Sequence, residues 1–359
     1  MRLALVEGEN LRRFEQFLIE PAPGINWITG PNAAGKTTLL EAVHLLGRAR
    51  SFRAAVSTDL CGAGGDRWNV KGHVIHNDAP SESVKLSWSA QGLSIRRGTH
   101  SPTLAELAQW LPVQALDPGT HRLIEEGPGH RRRYLDWGVF HVEPSFYPAW
   151  RRYRRSLLQR NRGLKARAPE AEVVSWDAEL ADSGETLQRL RLQHVVPLRQ
   201  KLAPLIAQLL DTEEWTLDLH SGWTGPQGLR ERLAAGLARD RRQGQTQEGP
   251  HRAELRLSLG GRHIKNRVSR GQQKLLVAAL LLAQAALIRD TAGRSPILLF
   301  DDFPAELGTD FQSRLLQVLR TSGCQVFASA LDRGTLPKIL GGEALFHVEQ
   351  GRVTRDSGG

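Results

Sequence analysis

The sequence predicts an α/β fold built around a phosphate-binding loop and interrupted by a mainly helical insertion. Three observations carry this reading. Gly30-Pro-Asn-Ala-Ala-Gly35-Lys36-Thr37 lies between a short apolar strand, Gly24 to Thr29, and a stretch with helical apolar spacing, Thr37 to Arg48. A second apolar strand, Pro296 to Phe300, ends far downstream on Asp301-Asp302. Between them, from about Pro112, apolar residues recur at threes and fours, as they do along buried helix faces.

Taken in order, the first third reads mostly as strands. Trp68, Val70, Gly72 and Val74 alternate with polar residues, as do Val84, Leu86, Trp88 and Ala90, the period of antiparallel strands with one wet face, and a loop with Asn77, Asp78 and Pro80 joins them. In the middle, Phe146, Trp150, Tyr153 and Leu157 share one helix face, which sets Arg151, Arg152, Arg154 and Arg155 largely on the other. Leu180, Ser183, Leu187, Leu190, Leu198, Leu202, Leu205 and Leu209 form the seam of a helical hairpin or short coiled coil, kinked at Pro197 and Pro204. Asp240 to Pro250, polar and rich in breakers, reads as a mobile connection. Then α/β alternation resumes: a strand with Leu255, Leu257 and Leu259, a long helix opened by Ser269, the strand before Asp301, a helix from Phe311 to Arg320 and a strand from Cys324 to Ala328. The expected division is 1–111 and 249–359 for the two parts of the α/β body, with 112–248 as a helical, basic arm.

Composition narrows the class. The chain has 359 residues, 40% hydrophobic and 24% charged, a size and balance suited to a packed body of one or two domains rather than a disordered or fibrous chain. Its longest nearly apolar stretch, Leu275 to Ile288, is short for a membrane span, and Met1 to Val6 meets Glu7 before a signal-peptide core can form, so the expectation is a cytoplasmic protein without a membrane partner. Cys61 and Cys324 form no cluster, and both are expected as buried thiols. The formal charge is +10 and the excess is arginine; His121 to Arg167 alone holds 12 Lys/Arg against 4 Asp/Glu. That fits a polyanion partner, and it fits an arginine-rich codon usage equally well.

The loop motif is the strongest chemical signal. In G-x-x-x-x-G-K-[ST], backbone N–H groups of Gly30, Pro31, Asn32, Ala33, Ala34 and Gly35 (proline excepted) converge on phosphates, and the N-terminal dipole of the helix entered through Lys36, Thr37 and Thr38 adds to the pull. Lys36 reaches the terminal phosphates of ATP, and Thr37 ligates Mg²⁺. Asp301 serves that Mg²⁺ directly or through water, and Asp302 orients or deprotonates the attacking water. Val268-Ser269-Arg270-Gly271-Gln272-Gln273 resembles the signature of ABC-type ATPases, in which Ser269, Gly271 and Gln272 would meet a γ-phosphate; the plain alternative is a serine N-cap without a ligand.

Together these stretches resemble the RecF family, which is related to the heads of SMC proteins. The resemblance spans nearly the whole length and adds Leu39-Leu-Glu-Ala with Ser51-Phe-Arg53, Arg131-Arg-Arg-Tyr-Leu-Asp136, Gln159-Arg-Asn161, Gly249-Pro-His-Arg252 and Glu306-Leu307. Lys36 and Ser269 are 233 residues apart, much farther than in transporter subunits. The resemblance implies a P-loop NTPase of the ABC/SMC-head type, mixed sheets around the Walker A helix, with an inserted mainly α-helical arm lobe. It implies an ATP-driven head-to-tail homodimer on DNA, slow DNA-dependent ATP hydrolysis for release, and help to RecR and RecO in loading RecA at gaps, with support of the SOS response. By motif position it places Arg12 near the base or ribose and makes Gln114 the glutamine that links Mg²⁺ or water to the arm.

Sequence-independent DNA contact is expected from Arg131, Arg132, Arg133, Arg151, Arg152, Arg154 and Arg155, each of which could equally lie on a solvated or carboxylate-paired face. The sequence departs from the family pattern at Ala33, where glycine is usual, and at Ala305 and Gly308, where a hydroxyl and a carboxylate are missing near the expected dimer seam. Two other readings stand beside this one: the ATPase subunit of an ABC transporter, and an ATP-binding structural module without hydrolysis.

Overall fold

The computed structural model describes residues 1–54, 56–62, 65–76, 79–116, 122–212, 214–225, 227–259, 262–264, 268–303 and 308–356. The chain divides into two compact units, Met1–His121 with Gln208–Leu210 and Ser269–Gly359, and Arg122–Ala207 with Asp211–Val268.

The first unit opens with β1 (Arg2–Leu11), β2 (Phe14–Ile19), β3 (Ile25–Thr29), α1 (Lys36–Arg48), β4 (Trp68–Ile75), β5 (Glu82–Ser89), β6 (Gly92–Arg97), α2 (Leu104–Trp110) and β7 (Val113–Leu116). In β4 the expected alternation is exact in its burial: Trp68, Val70, Gly72 and Val74 face inward. The second unit follows with α3 (Arg122–Glu125), α4 (Pro128–Val142), α5 (Phe146–Lys165), α6 (Glu170–Val174), α7 (Asp177–Leu210, its last three residues grouped with the first unit), β8 (Trp215–His220), α8 (Leu229–Gln243), β9 (Glu254–Leu259) and β10 (Arg262–His263). The first unit resumes with α9 (Arg270–Ala292), β11 (Ile297–Phe300), α10 (Thr309–Thr321), β12 (Val326–Ser329), β13 (Ala344–Glu349) and β14 (Arg352–Asp356).

Two sheets enclose α1 in the first unit. One is antiparallel, in the order β2-β1-β4-β5-β6; the other runs β14-β13-β3-β12-β11-β7, with β13, β3, β12, β11 and β7 parallel. Helix α1 packs against β1, β4 and β5 on one side and β7 and β12 on the other, so its residues Thr38 to Gly47 are all buried. The parallel order carries the carboxyl ends of β3, β11 and β12 to one edge, where ligands bind in open α/β sheets. Helix α9 is long and apolar enough by composition to cross a membrane, but its burial is that of a core helix.

Four expectations need correction. The first boundary lies at 121/122 rather than 111/112, because β7 pairs with β11. The second lies at 268/269 rather than 248/249, because β9 pairs with β8 and β10 in a separate three-stranded sheet. Asp240 to Pro250 is not a loose connection: Asp240 and Thr246 are buried and both bond to Arg160. Helix α7 runs as one element through Pro197 and Pro204 rather than as a hairpin. Cys324 is buried and Cys61 half-buried, both free. Asn77 and Asp78, and the segment with Ala305, Glu306 and Leu307, lie outside the described residues; Gly308 is the N-cap of α10.

Candidate nucleotide site

The site grows from the end of β3. Gly35 adopts φ 125°, and a Cβ there would sit 2.7 Å from Phe14 Cε2, so both backbone and space demand glycine. Ala33 takes the left-handed region at φ 61° without glycine's freedom, a strained residue held in a loop whose next member, Ala34, is buried. The departure from the family pattern therefore falls on a residue whose backbone keeps the glycine-like conformation.

Lys36 is buried and folds back over the loop, its Nζ donating to Gly30 O at 2.6 Å and Pro31 O at 3.0 Å. Burial pushes its ammonium below the ordinary value, against the opposing charges of Asp302 and Asp301. Thr37 Oγ1 donates to Asp301 Oδ1 and Oδ2 at 3.1 and 3.3 Å across 264 residues of sequence. Asp301 is itself buried; desolvation raises its carboxyl above the ordinary range, the Ser329 hydroxyl pulls it back, and Asp302 raises it again. Asp302 is exposed and strained at φ 54°.

Ser329 is the functional residue that the sequence reading missed. From the end of β12 its hydroxyl donates to Asp301 Oδ1 at 2.8 Å and accepts from Asp302 N–H at 2.9 Å, while its carbonyl accepts from Phe303 N–H at 2.8 Å. One residue, through its hydroxyl and its carbonyl, thus braces the turn that carries both aspartates. The signal was a small hydroxyl at the tip of an apolar strand, which becomes informative only once β12 is known to neighbour β11.

Among the described residues no group of three or more His, Cys, Asp or Glu forms a metal cage. Thr37 and Asp301 nevertheless fit Mg²⁺. They are hard oxygen donors spaced like adjacent corners of an octahedron with bonds of about 2.1 Å, and Mg²⁺ keeps its other positions for water and phosphate oxygens.

Arg12 also stands at φ 53° and holds Glu41 of α1 by an ion pair, Nε to Oε2 at 2.7 Å, with one hydrogen bond from Nη2 to Oε1 at 2.9 Å. Ser51 donates to the same carboxylate, so Leu39-Leu-Glu-Ala and Ser51-Phe-Arg53 are two halves of one contact. Gln114 is not brought to Thr37 or Asp301. Its Nε2 donates to Gln284 Oε1 of α9 at 2.8 Å inside the core, because its position in β7 is level with Leu298, short of the strand tip. Ser269 Oγ accepts from Gln272 N–H while Gln272 Oε1 accepts from Ser269 N–H, a reciprocal cap at the exposed start of α9, with Gly271 buried beneath.

The arginines expected at DNA separate by burial in the second unit. Arg131 is 7% exposed and bonds Glu254 at 2.7 and 3.0 Å, with two further bonds to Leu123 O and Glu126 O. It is part of the scaffold, which corrects its assignment as a DNA contact. Arg132 is half-buried and donates to Ala253 O at 2.6 Å; burial lowers its pKa from the ordinary value. Arg133, Arg151, Arg152, Arg154 and Arg155 are exposed; Arg152 approaches Glu179 at 3.5 Å, and Arg151 and Arg154 lie over the rings of Tyr147 and Trp150.

Arg160 and Asn161 of one further family-like stretch, and Asp136 of another, are also scaffold. Arg160, fully buried, bonds Asp177 and Asp240 at 2.7 Å each; Asn161 accepts from Thr246; and Arg191 grips Asp136 at 2.7 and 2.9 Å.

A phosphate loop whose lysine and threonine face a strand-end aspartate, on a helix held between two sheets, defines a P-loop ATPase of the ABC/SMC-head class. The RecF/RecN/SMC N terminal domain model matches residues 2–354. The chain is 39% identical to the DNA replication and repair protein RecF of Azotobacter vinelandii over 99% of both chains, and 38% identical to that of Thioalkalivibrio sulfidiphilus over 98% of this chain and 99% of the relative. It belongs to the RecF family of DNA replication and repair proteins. The solved structure of the recombination mediator protein RecF-ATP in the RecFOR pathway superimposes with a TM-score of 0.85 at 24% identity, covering 99% of this chain and 97% of that one. An Smc head bound to the C-winged helix domain of ScpA gives 0.60 at 14% identity, covering 99% and 98%.

Proposed function

We propose that this protein is an ATP-operated DNA-binding switch of recombinational repair. The observation that carries the reading is the contact between Thr37 and Asp301, joining the two distant halves of a phosphate and metal site. The similar RecF protein solved with ATP supports ATP as the ligand. In this reading the loop 30–35 and Lys36 hold the phosphates, exchanging Lys36's bonds to Gly30 O and Pro31 O for phosphate oxygens. Thr37 and Asp301 hold Mg²⁺, which supplies charge neutralisation to the phosphates. Asp302 orients water for slow hydrolysis, and Arg12, seated on Glu41, faces the nucleoside.

Ser269, Gly271 and Gln272 complete the site of a second copy, so ATP joins two chains head to tail. The exposed start of α9 is compatible with that role, and the cap made by Ser269 leaves its helix ready-formed. DNA contact, sequence-independent and stimulating hydrolysis, falls to Arg133, Arg151, Arg154 and Arg155, with Arg152 and Arg132 partly engaged elsewhere. RecR, RecO and, through them, RecA are the partners, in the cytoplasm, in gap repair and the SOS response. Membership of the RecF family displaces the transporter-subunit reading.

The test is equilibrium binding of a fluorescent ATP analogue to the full chain with Mg²⁺ or with EDTA. The reading expects Mg²⁺-dependent binding that Lys36→Ala weakens at least tenfold. Binding unchanged by Lys36→Ala would overturn it.

A further inference from the structure

The stretch Gly249-Pro-His-Arg252 is mostly absorbed by packing within the second unit. Gly249 N–H donates to Gly222 O at 3.1 Å, Pro250 O accepts from Arg191 at 2.8 Å, and His251 Nδ1 meets the Tyr153 hydroxyl at 2.6 Å. Arg252 is different. It is exposed, its guanidinium touches Gln247 Oε1 at 3.3 Å, and it lines a cavity of about 490 Å³ with His220, Trp223, Arg239, Gln243 and Gln247.

The cavity has a fixed floor. Gly222 adopts φ 88°, and a Cβ there would lie 2.3 Å from Gly249 O and 2.5 Å from Ala253 N, so the turn carrying Trp223 is seated directly on the segment carrying Arg252. Arg239 and Gln243 stand one helical turn apart at the end of α8, on the same face. The one carboxylate of the lining, Glu248, is already gripped by Arg232 at 2.7 and 2.6 Å and by Arg239 at 2.9 Å, which holds its pKa below the ordinary value. Net positive charge therefore remains at the cavity.

An indole for stacking, two guanidiniums for a phosphate and two carboxamides for a base edge are the recognition chemistry of a nucleotide. The volume lies in the range of small-ligand sites, and a base still paired in a duplex could not enter it. We propose that this cavity takes one unpaired nucleotide of the DNA partner, its base against Trp223 and its phosphate at Arg252 and Arg239. The proposal rests on the DNA-binding reading above and adds to it the place at which an unpaired nucleotide is held.

The test is fluorescence anisotropy with the full chain at one salt concentration on three DNAs: a blunt duplex, the same duplex with a short single-stranded overhang, and that overhang made abasic. The wild type is expected to bind the overhang about tenfold tighter than the blunt duplex, the value of stacking one base. The abasic overhang, with equal phosphates, should lose most of that gain. Trp223→Ala and Arg252→Gln should abolish the gain and leave blunt-duplex affinity unchanged, while Trp223→Phe should retain it. An overhang preference that survives Trp223→Ala, or an equal loss on all three DNAs, overturns the cavity proposal alone. A wild type that binds none of them removes the DNA-binding reading and this proposal together.

Discussion

Arg131→Ala should cost the second unit about 3 kcal/mol of stability, while Arg133→Ala, two residues along the same helix, should change it by less than about 0.5 kcal/mol. The magnitude follows from what Arg131 leaves behind. Its guanidinium makes two bonds to Glu254 and two to the carbonyls of Leu123 and Glu126. Removing one partner of a buried ion pair costs about 3–5 kcal/mol because the other charge stays desolvated. The Glu254 side chain is 24% exposed and regains some water, which puts the figure at the lower end. Native-state hydrogen exchange over Arg122–Ala207 and Asp211–Val268 reads this free energy within the second unit. DNA affinity measured beside it should fall on Arg133→Ala and stay within error on Arg131→Lys if the unit remains folded. A loss below about 1 kcal/mol on Arg131→Ala, with a larger drop in DNA affinity than Arg133→Ala gives, would refute the assignment of Arg131 to the scaffold.

Acid should destabilise the second unit between pH 6.5 and about 4, the window set by His194 and His251, whose rings burial lowers to about 4 instead of 6.5. Above 6.5 the rings are neutral in both states; as pH falls the unfolded chain takes up protons that the folded one refuses, and up to about 3 kcal/mol is lost per ring, so His194→Leu should make a urea-midpoint titration shallower there without flattening it. Gly35→Ala should abolish nucleotide binding and lower Tm, since its Cβ would press on Phe14 in a backbone region foreign to alanine; calorimetry and binding of a fluorescent ATP analogue read both. Asp301→Asn should weaken Mg²⁺-dependent nucleotide binding at least tenfold while raising thermal stability without ligand, because the raised carboxyl pKa marks a charge that is costly to bury.

The phosphate loop was legible because its chemistry is local: a strand, a turn of fixed length and a helix N-terminus bring the donors together wherever the rest of the chain goes. Asp301 was legible for the same reason, as the first polar residue after a buried strand. Ser329 was not, because its meaning depends on which strand lies beside it, and strand order cannot be read from periodicity. The same limit misplaced β9: alternation shows that Leu255 and Leu257 face a core, but not that the core is shared with β8. Arginine runs misled in a different way. Arg131 and Arg133 are indistinguishable by composition, and only a carboxylate 123 residues distant separates the scaffold residue from the exposed one. Asp240 and Thr246 sat in a stretch rich in loop formers, and it took a buried arginine from another helix, Arg160, to order it. Gln114 follows from β7's register, which ends the strand two residues beyond it.

Sedimentation of the purified full chain with and without ATP and Mg²⁺, alone and with a gapped duplex, tests the central claim most directly, with Ser269→Arg run beside the wild type. The account predicts that ATP and Mg²⁺ convert the wild type to a dimer that co-sediments with DNA, less so at high salt, while Ser269→Arg binds ATP yet stays monomeric. A wild type that remains monomeric with ATP, Mg²⁺ and DNA, or a Ser269→Arg variant that dimerises normally, would contradict it.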